Sequence, residues 1–311
     1  MQKFGLFLVP GFSLVALSCV IDVLRAANVA VKKSEFSWSL LGDACTSVTS
    51  SSGLELPCTP INSDDKYDVI TVCGGERSHM FHSKNVDNWL HLRARTDVKI
   101  GSISDGAYVV AQAGLFDKCR STIHWKCQNA YREIYPNLDI KMSILEMDGN
   151  RFSCAGGTSS LDLMLNFVSL RLGKEVAGQI ADNYFHDNIR GDGEVQHTTG
   201  ALRFALRNKT LSDALSLMEA ALENPITIES LTQELGVSLR QLDRIFQTHI
   251  KTSPSKHYRD MRLFRASGLL KQTNLSVSEI ASGCGFQSAS HFSKYFKQRY
   301  QQTPRRYRYG V

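Results

Sequence analysis

Apolar residues follow two different rhythms along this chain. In the N-terminal half, short apolar runs at Lys3–Val9, Val69–Val72, Lys99–Ile103 and Arg151–Ala155 each give way to glycine or proline. A helical spacing of apolar positions follows in turn, over Leu14–Ala30, Asn85–Arg95, Ala107–Ala113 and Leu161–Leu172. Strands alternating with helices predict an α/β layer fold with a mainly parallel sheet. Around Asp187–Gly200 the chain turns polar and glycine-rich, the signature of a linker. Beyond it strand signals vanish. Leu202–Leu222 and everything past Ile228 carry helical periodicity, so the C-terminal domain is expected to be all-α. The expected division is 1–187 for the α/β domain, 188–210 for the linker and 211–311 for the helical domain.

The helical part repeats itself. Ile228 to Ser238 aligns with Val277 to Gln287 at an offset of 49, and Leu242, Phe246 and Pro254 align with Phe292, Phe296 and Pro304 at 50. Each copy has the mechanics of a helix-turn-helix. A first helix buries apolar positions, Gly236 or Gly285 supplies a turn that needs positive φ, and Ser238 or Ser288 caps a second helix. Leu242 and Phe246, or Phe292 and Phe296, face inward. Outward, the second helices and their caps carry Ser238, Arg240, Gln241 and Arg244 in one copy and Gln287, Ser288, Ser290, His291 and Lys294 in the other. Side chains of these types reach base edges and phosphates from a major groove. Between the copies, Pro254 to Gln272 reads as a helix of 19 residues. At ~1.5 Å per residue it spans roughly 28 Å, close to the one-turn spacing of about 34 Å between successive groove segments. Arg259, Arg262 and Arg265 lie on it, available to structure or to phosphate.

Charge sharpens this picture. The whole chain of 311 residues carries +6, but residues 1–200 hold 19 basic against 22 acidic side chains while 201–311 hold 17 against 8. The positive excess sits in the helical third, as a polyanionic partner requires. A hydrophobic content of 42% and a charged content of 21% exclude disordered and fibrous classes. Pro10-Gly11 interrupts the N-terminal apolar run and no cleavage site precedes Asp22, so a buried strand is expected there instead of a signal peptide. No stretch has the length of a membrane span. The eight cysteines are scattered without a C-x-x-C pair, which argues against a metal site or a disulfide framework and for reduced thiols in a cytoplasm.

The stretches GVSLRQLDRIF, RLFRASGLL and SVSEIASGCGFQSASHFSKYFKQRYQQTPRRYR, spanning Ile226–Arg308, resemble the DNA-binding domain of AraC/XylS-type regulators. One departure is Thr232, where such domains usually place alanine; it is expected to loosen the first helix crossing slightly.

In the α/β part, ISDGAYVVAQAGLF places a strand, a sharp corner at Ser104–Gly106 and then a helix, which lifts Ser104 above the sheet as a nucleophile elbow does. With LVPGFS, Cys73-Gly74-Gly75 and SCAGGTSS, it resembles PfpI-like, class I glutamine-amidotransferase-like domains, which implies a flavodoxin-like sandwich and places His124 of T-x-H-W beside the elbow. Active members use a cysteine, a histidine and an acid. Here the elbow residue is Ser104, the acid position falls on Ala16, and nothing obvious orients His124. A serine hydroxyl needs an adjacent base, so the expectation is a binding pocket built from Gly75, Glu76, Arg77, Ser104, Asp105, His124 and Trp125, with no catalytic residue, metal or cofactor. The alternative is an amidase- or glyoxalase-like hydrolase using Ser104 and His124. Together the halves resemble GlxA-type regulators. That resemblance implies a homodimeric transcription regulator, an activator working with RNA polymerase on double-stranded DNA, controlled by a small, nitrogenous effector such as arginine, carnitine or glycine betaine.

Overall fold

The structure is a computed structural model that describes residues 1–64, 66–196 and 208–309. The chain divides into two compact units, Met1–Gln196 and His197–Val311.

The first unit is a three-layer sandwich. Its strands are β1 (Gln2–Leu8), β2 (Phe36–Gly42), β3 (Ser47–Thr49), β4 (Glu55–Pro57), β5 (Thr59–Pro60), β6 (Val69–Cys73), β7 (Lys99–Ile103), β8 (Arg120–Ser121), β9 (Asp139–Ile140), β10 (Leu145–Asp148) and β11 (Arg151–Cys154). Seven of them form one sheet in the order β10-β11-β7-β6-β1-β2-β5, parallel throughout except where β10 returns against β11. Side chains of β1 alternate between its faces. Phe4, Leu6 and Leu8 join the core under α1 (Leu14–Ala30), α5 (Ser159–Leu172) and α6 (Lys174–Asn183). Phe7 joins the core under α2 (Lys84–Ala94), α3 (Ala107–Gln112) and α4 (Gln128–Ile134). The expected α/β sandwich is therefore the observed one, with β2–β5, β8–β10, α4 and α6 in addition to the elements the apolar pattern marks.

The boundary needs a correction. Residues 188–196, expected to open the linker, pack on the first unit. Asp162 on α5 is fully buried, and Arg190 donates to it from its backbone N–H at 2.9 Å, Nε at 3.0 Å and Nη2 at 2.6 Å, while His186 Nε2 lies 2.7 Å away. Asp192 accepts from Arg120 Nη2 at 3.2 Å, and Gln196 is 5% exposed. A buried carboxylate needs partners, and the polar, glycine-rich segment supplies them. The rest of the expected linker, up to residue 207, and the start of the helix expected from Leu202 lie outside the described residues.

The second unit is helical: α7 (Lys209–Ala220), α8 (Ile228–Leu235), α9 (Leu239–His249), α10 (Pro254–Gln272), α11 (Val277–Gly283), α12 (Ala289–Tyr300) and α13 (Pro304–Tyr309). Serine caps start α9, α10, α11 and α12, each accepting from a backbone N–H in the first turn. Among the described residues no helix is long and apolar enough to cross a membrane.

Arg190→Ala removes the guanidinium and leaves the Asp162 carboxylate buried with His186 and the backbone N–H of residue 190. We expect the first unit to lose about 3–5 kcal/mol in urea unfolding, as for other severed buried ion pairs, with Arg190→Lys recovering part of it. Unchanged unfolding would show that this segment does not seal the domain.

Candidate ligand pocket and nucleic-acid interface

The elbow is made by close backbone approach. Ser104 has φ +55° and is 9% exposed, an uncommon conformation for a residue with a Cβ. Glycines make room around it. A Cβ on Gly74 would fall 2.0 Å from the Gly106 nitrogen, one on Gly75 would fall 2.1 Å from the Gly11 oxygen, and one on Gly156 would fall 2.6 Å from Ser104 Cβ. The Gly74 N–H donates to the Ile103 carbonyl at 3.2 Å, tying the double glycine to the strand that feeds the elbow. Glu76 and Arg77 follow on the surface, Arg77 in the left-handed region at φ +74°.

Asp105 sits one residue into the corner. Burial raises its pKa to about 7, opposed by the Cys127 thiol donating at 3.3 Å, reinforced by the charge of Glu76 and opposed again by Lys126. His124 is half-buried and neutral: desolvation, then the charge of Lys126, pulls it down to about 4. Its Nδ1 accepts from the Lys126 backbone N–H at 3.3 Å, and its ring stacks on Trp125 with centroids 5.5 Å apart. Ser104 and His124 share no hydrogen bond. Ala16, where the resemblance puts the acid, is fully buried, and Asp22 is engaged with Arg25 at 3.2 Å on the face of α1. The elbow geometry is present without a relay to activate its hydroxyl.

One residue of this region was missed in the sequence. Gln196 Oε1 accepts from the Trp125 N–H at 2.9 Å, and its Nε2 donates to Ile123 O at 2.8 Å, Ser143 O at 2.7 Å and Thr122 Oγ1 at 3.1 Å. The last residue of the first unit is thereby bonded into the loop that carries His124 and Trp125. A lone glutamine in a polar stretch gives no signal of this in the sequence.

In the second unit both turns have the expected glycine geometry, with Gly236 at φ +65° and Gly285 at φ +70°. Leu242, Phe246, Phe292 and Phe296 are fully buried. Arg240 and Arg244 on α9, Ser290, His291 and Lys294 on α12, and Gln287 in the turn before α12 are all exposed. Gln241 is also exposed, but its Oε1 accepts from the Ser238 N–H at 2.8 Å, closing a capping box with the Ser238 hydroxyl. Ser288 caps α12, and its hydroxyl lies 3.0 Å from that of Ser290. Thr232 does not leave a buried hydroxyl unpaired: its Oγ1 donates to Glu229 O at 2.8 Å.

The arginines of α10 divide between roles. Arg262 donates to Gly285 O at 3.0 Å and lies 4.9 Å from the Phe286 ring, so it clamps the second turn. Arg259 sits over Tyr295 at 4.4 Å. Arg308, which looks like part of a basic tail, donates to the carbonyls of Leu270 and Leu275; Arg305 and Arg306 are exposed on the surface.

An amidotransferase-like sandwich joined to a double helix-turn-helix defines a DNA-binding transcription regulator, and comparison with known proteins agrees. A helix-turn-helix domain family matches residues 231–309 and the DJ-1/PfpI family matches residues 2–170. The HTH-type transcriptional regulator GbdR of Pseudomonas aeruginosa is 33% identical over 99% of this chain and 84% of its own length. The HTH-type transcriptional regulator GlxA of Rhizobium meliloti is 35% identical over 97% of this chain and 94% of its own. A crystal structure of an AraC family transcriptional regulator from Pseudomonas putida superposes with a TM-score of 0.56 at 25% identity, covering 59% of this chain and all of that one. The chain belongs to the GlxA/GbdR-type AraC-family transcriptional regulators with a DJ-1/PfpI domain. It is a regulator and not an enzyme.

The two titrations give opposite signs. Asp105 holds its proton more tightly folded than unfolded, so it withdraws stability as pH rises from about 4 to about 7. His124 holds its proton less tightly folded, so it withdraws stability as pH falls from 6.5 to about 4. In Asp105→Asn the melting temperature should therefore drop more steeply than in wild type on acidification through that window. In His124→Gln it should drop less. Parallel curves for all three proteins would remove both assignments.

Proposed function

We propose that the chain reads two successive major-groove segments of duplex DNA through α9 and α12, under the control of a small nitrogenous metabolite bound at the Ser104 corner. The observation that carries this reading is the repeated helix-turn-helix with exposed Arg240 and Arg244 on one copy and Gln287, Ser290, His291 and Lys294 on the other. Ser238, Gln241 and Ser288 contribute through the caps they form, whose free N–H groups suit a phosphate. Arginine paired with a guanine edge supplies sequence selection, and the remaining cations supply affinity that falls with salt.

The ligand chemistry follows from the corner. Asp105 and Glu76 bring carboxylates, Gly75 and Arg77 flank Glu76 in its loop, and His124 and Trp125 bring a neutral stacked aromatic wall. A cationic nitrogen suits carboxylates beside an aromatic face, and its arrival would pull the Asp105 proton off. Gln196 offers the route outward. A ligand that shifts the Trp125 loop strains the bonds holding the end of the first unit, which leads directly into the second. The regulator is proposed to act in the cytoplasm as a homodimer and as an activator working with RNA polymerase, its effector domain ending at Gln196 and its DNA-binding domain starting near Leu211.

Arg240→Ala or Arg244→Ala should weaken binding to a duplex selected from a random pool by about 1–3 kcal/mol if the arginine reads a guanine. If it touches phosphate alone, all sequences should weaken alike and the salt slope should shrink. Gel shifts across ionic strengths separate the two, and full retention of binding in both variants overturns the docking. A thermal-shift screen of amino acids and quaternary amines tests the pocket: a stabilising compound should lose its effect in Asp105→Asn. In Gln196→Ala the compound should still stabilise the first unit and no longer alter DNA affinity. Retained coupling in that variant would dismiss the route.

A further inference from the structure

Outside the pocket, two thiols meet at the open end of the β3–β4 hairpin. Cys45 precedes β3 and Cys58 follows β4, and the Cys58 N–H donates to Thr46 O at 2.9 Å, extending the antiparallel pairing Ser47↔Pro57 by one step. The Cys58 thiol donates to the Cys45 carbonyl at 3.4 Å across a sequence gap of 13. Gly42 on the neighbouring strand marks how near the sulfurs are. A Cβ there would lie 2.6 Å from Cys58 Sγ and 2.7 Å from Cys45 Sγ, so both sulfurs flank one point. Both residues are half-buried, open to a small reagent yet held in place by the hairpin. Disulfides form where the backbone already brings two cysteines close; Cys58 lies opposite Thr46, one residue from Cys45, and the two sulfurs converge beside Gly42.

We propose that Cys45 and Cys58 are a redox-active pair that hydrogen peroxide converts to a disulfide. The Cys45 thiolate attacks one peroxide oxygen, the O–O bond breaks, and the departing hydroxide takes up a proton to become water, leaving a sulfenic acid. The Cys58 sulfur then attacks the Cys45 sulfur. The S–O bond breaks as the S–S bond forms, and the second hydroxide leaves with the Cys58 proton as water. Two sulfurs lose two electrons between them, and the two peroxide oxygens gain the same number. The Cys58 thiol proton is engaged on the Cys45 carbonyl, and burial, then the neighbouring Cys45, pushes that thiol up to about 11, which casts Cys58 as the resolving partner.

The bond has a place to act. The Gly11 N–H donates to Thr49 O at 2.8 Å, and the Ser51 N–H donates to Phe12 O at 2.9 Å. Phe12 in turn bridges to Gly75. Closing the hairpin mouth fixes a hairpin that props the double-glycine loop. The chemistry stands whatever ligand the pocket takes.

The test treats the full chain with hydrogen peroxide, caps remaining thiols with iodoacetamide and digests with trypsin without reductant. The peptide Ser34–Lys66 holds Cys45 and Cys58 and no other cysteine, so one mass reads the pair. It should appear two hydrogens lighter and uncapped, and return to the doubly capped form when dithiothreitol precedes capping. Neither Cys45→Ser nor Cys58→Ser should give the uncapped form. The proposal is overturned if both cysteines are still capped after glutathione in the same tube is fully oxidised. It is equally overturned if either is joined to a different cysteine or carried on to sulfinic acid in the wild-type chain.

Discussion

Helix α10 is the constraint on which the DNA-binding half depends. It starts at Pro254 behind a Ser253 cap and runs 19 residues without a break. Tyr258 lies in the core of the first helix-turn-helix and donates to Ala221 O at 2.7 Å, while Leu263, Ala266, Leu269 and Leu270 are buried further along. Arg262 locks the turn at Gly285, and Arg308 returns to the helix from the far end of the chain. Both recognition helices are therefore mounted on one rod, and a change in its packing moves them relative to each other.

The first unit keeps the geometry of an enzyme without its chemistry. Residues in strained backbone regions persist only when their surroundings over-determine them. Gly74, Gly106 and Gly156 crowd the Ser104 corner so closely that a Cβ at any of them would collide, and Gly75 is packed as tightly against Gly11. What is missing is the proton relay, since Ala16 stands at the acid position and His124 is neutral and bonded to its own loop. A corner so preorganised, with a desolvated carboxylate beside it, serves recognition as readily as catalysis.

Much of this was legible in the sequence, because it is written locally. The offset repeat, the glycine turns and the serine caps each follow from backbone preferences within a few residues. The strand-corner-helix at Ser104 is local too. What stayed hidden depends on distant partners. Phe36–Gly42 pairs with β1 and β5, and although its Phe-Ser-Trp-Ser-Leu alternation is a local strand signal, burial does not follow it, since Ser37–Leu40 are all half-buried. The segment 188–196 looks like a linker by composition and becomes part of a domain through Asp162 on a helix 28 residues earlier. Gln241 reads as a base contact by position, yet its side chain closes a cap. Cys45 and Cys58 look unrelated by spacing and meet because a hairpin brings them together.

The most direct measurement is a hydroxyl-radical and methylation-interference footprint of the full chain on a duplex selected from a random pool. The account predicts two contacted major-groove segments on one face of the DNA, about one helical turn apart for each chain, with both lost together when Leu263 on α10 is replaced by a charged residue. A single contacted segment per chain, or two whose separation varies freely among selected sequences, would contradict it.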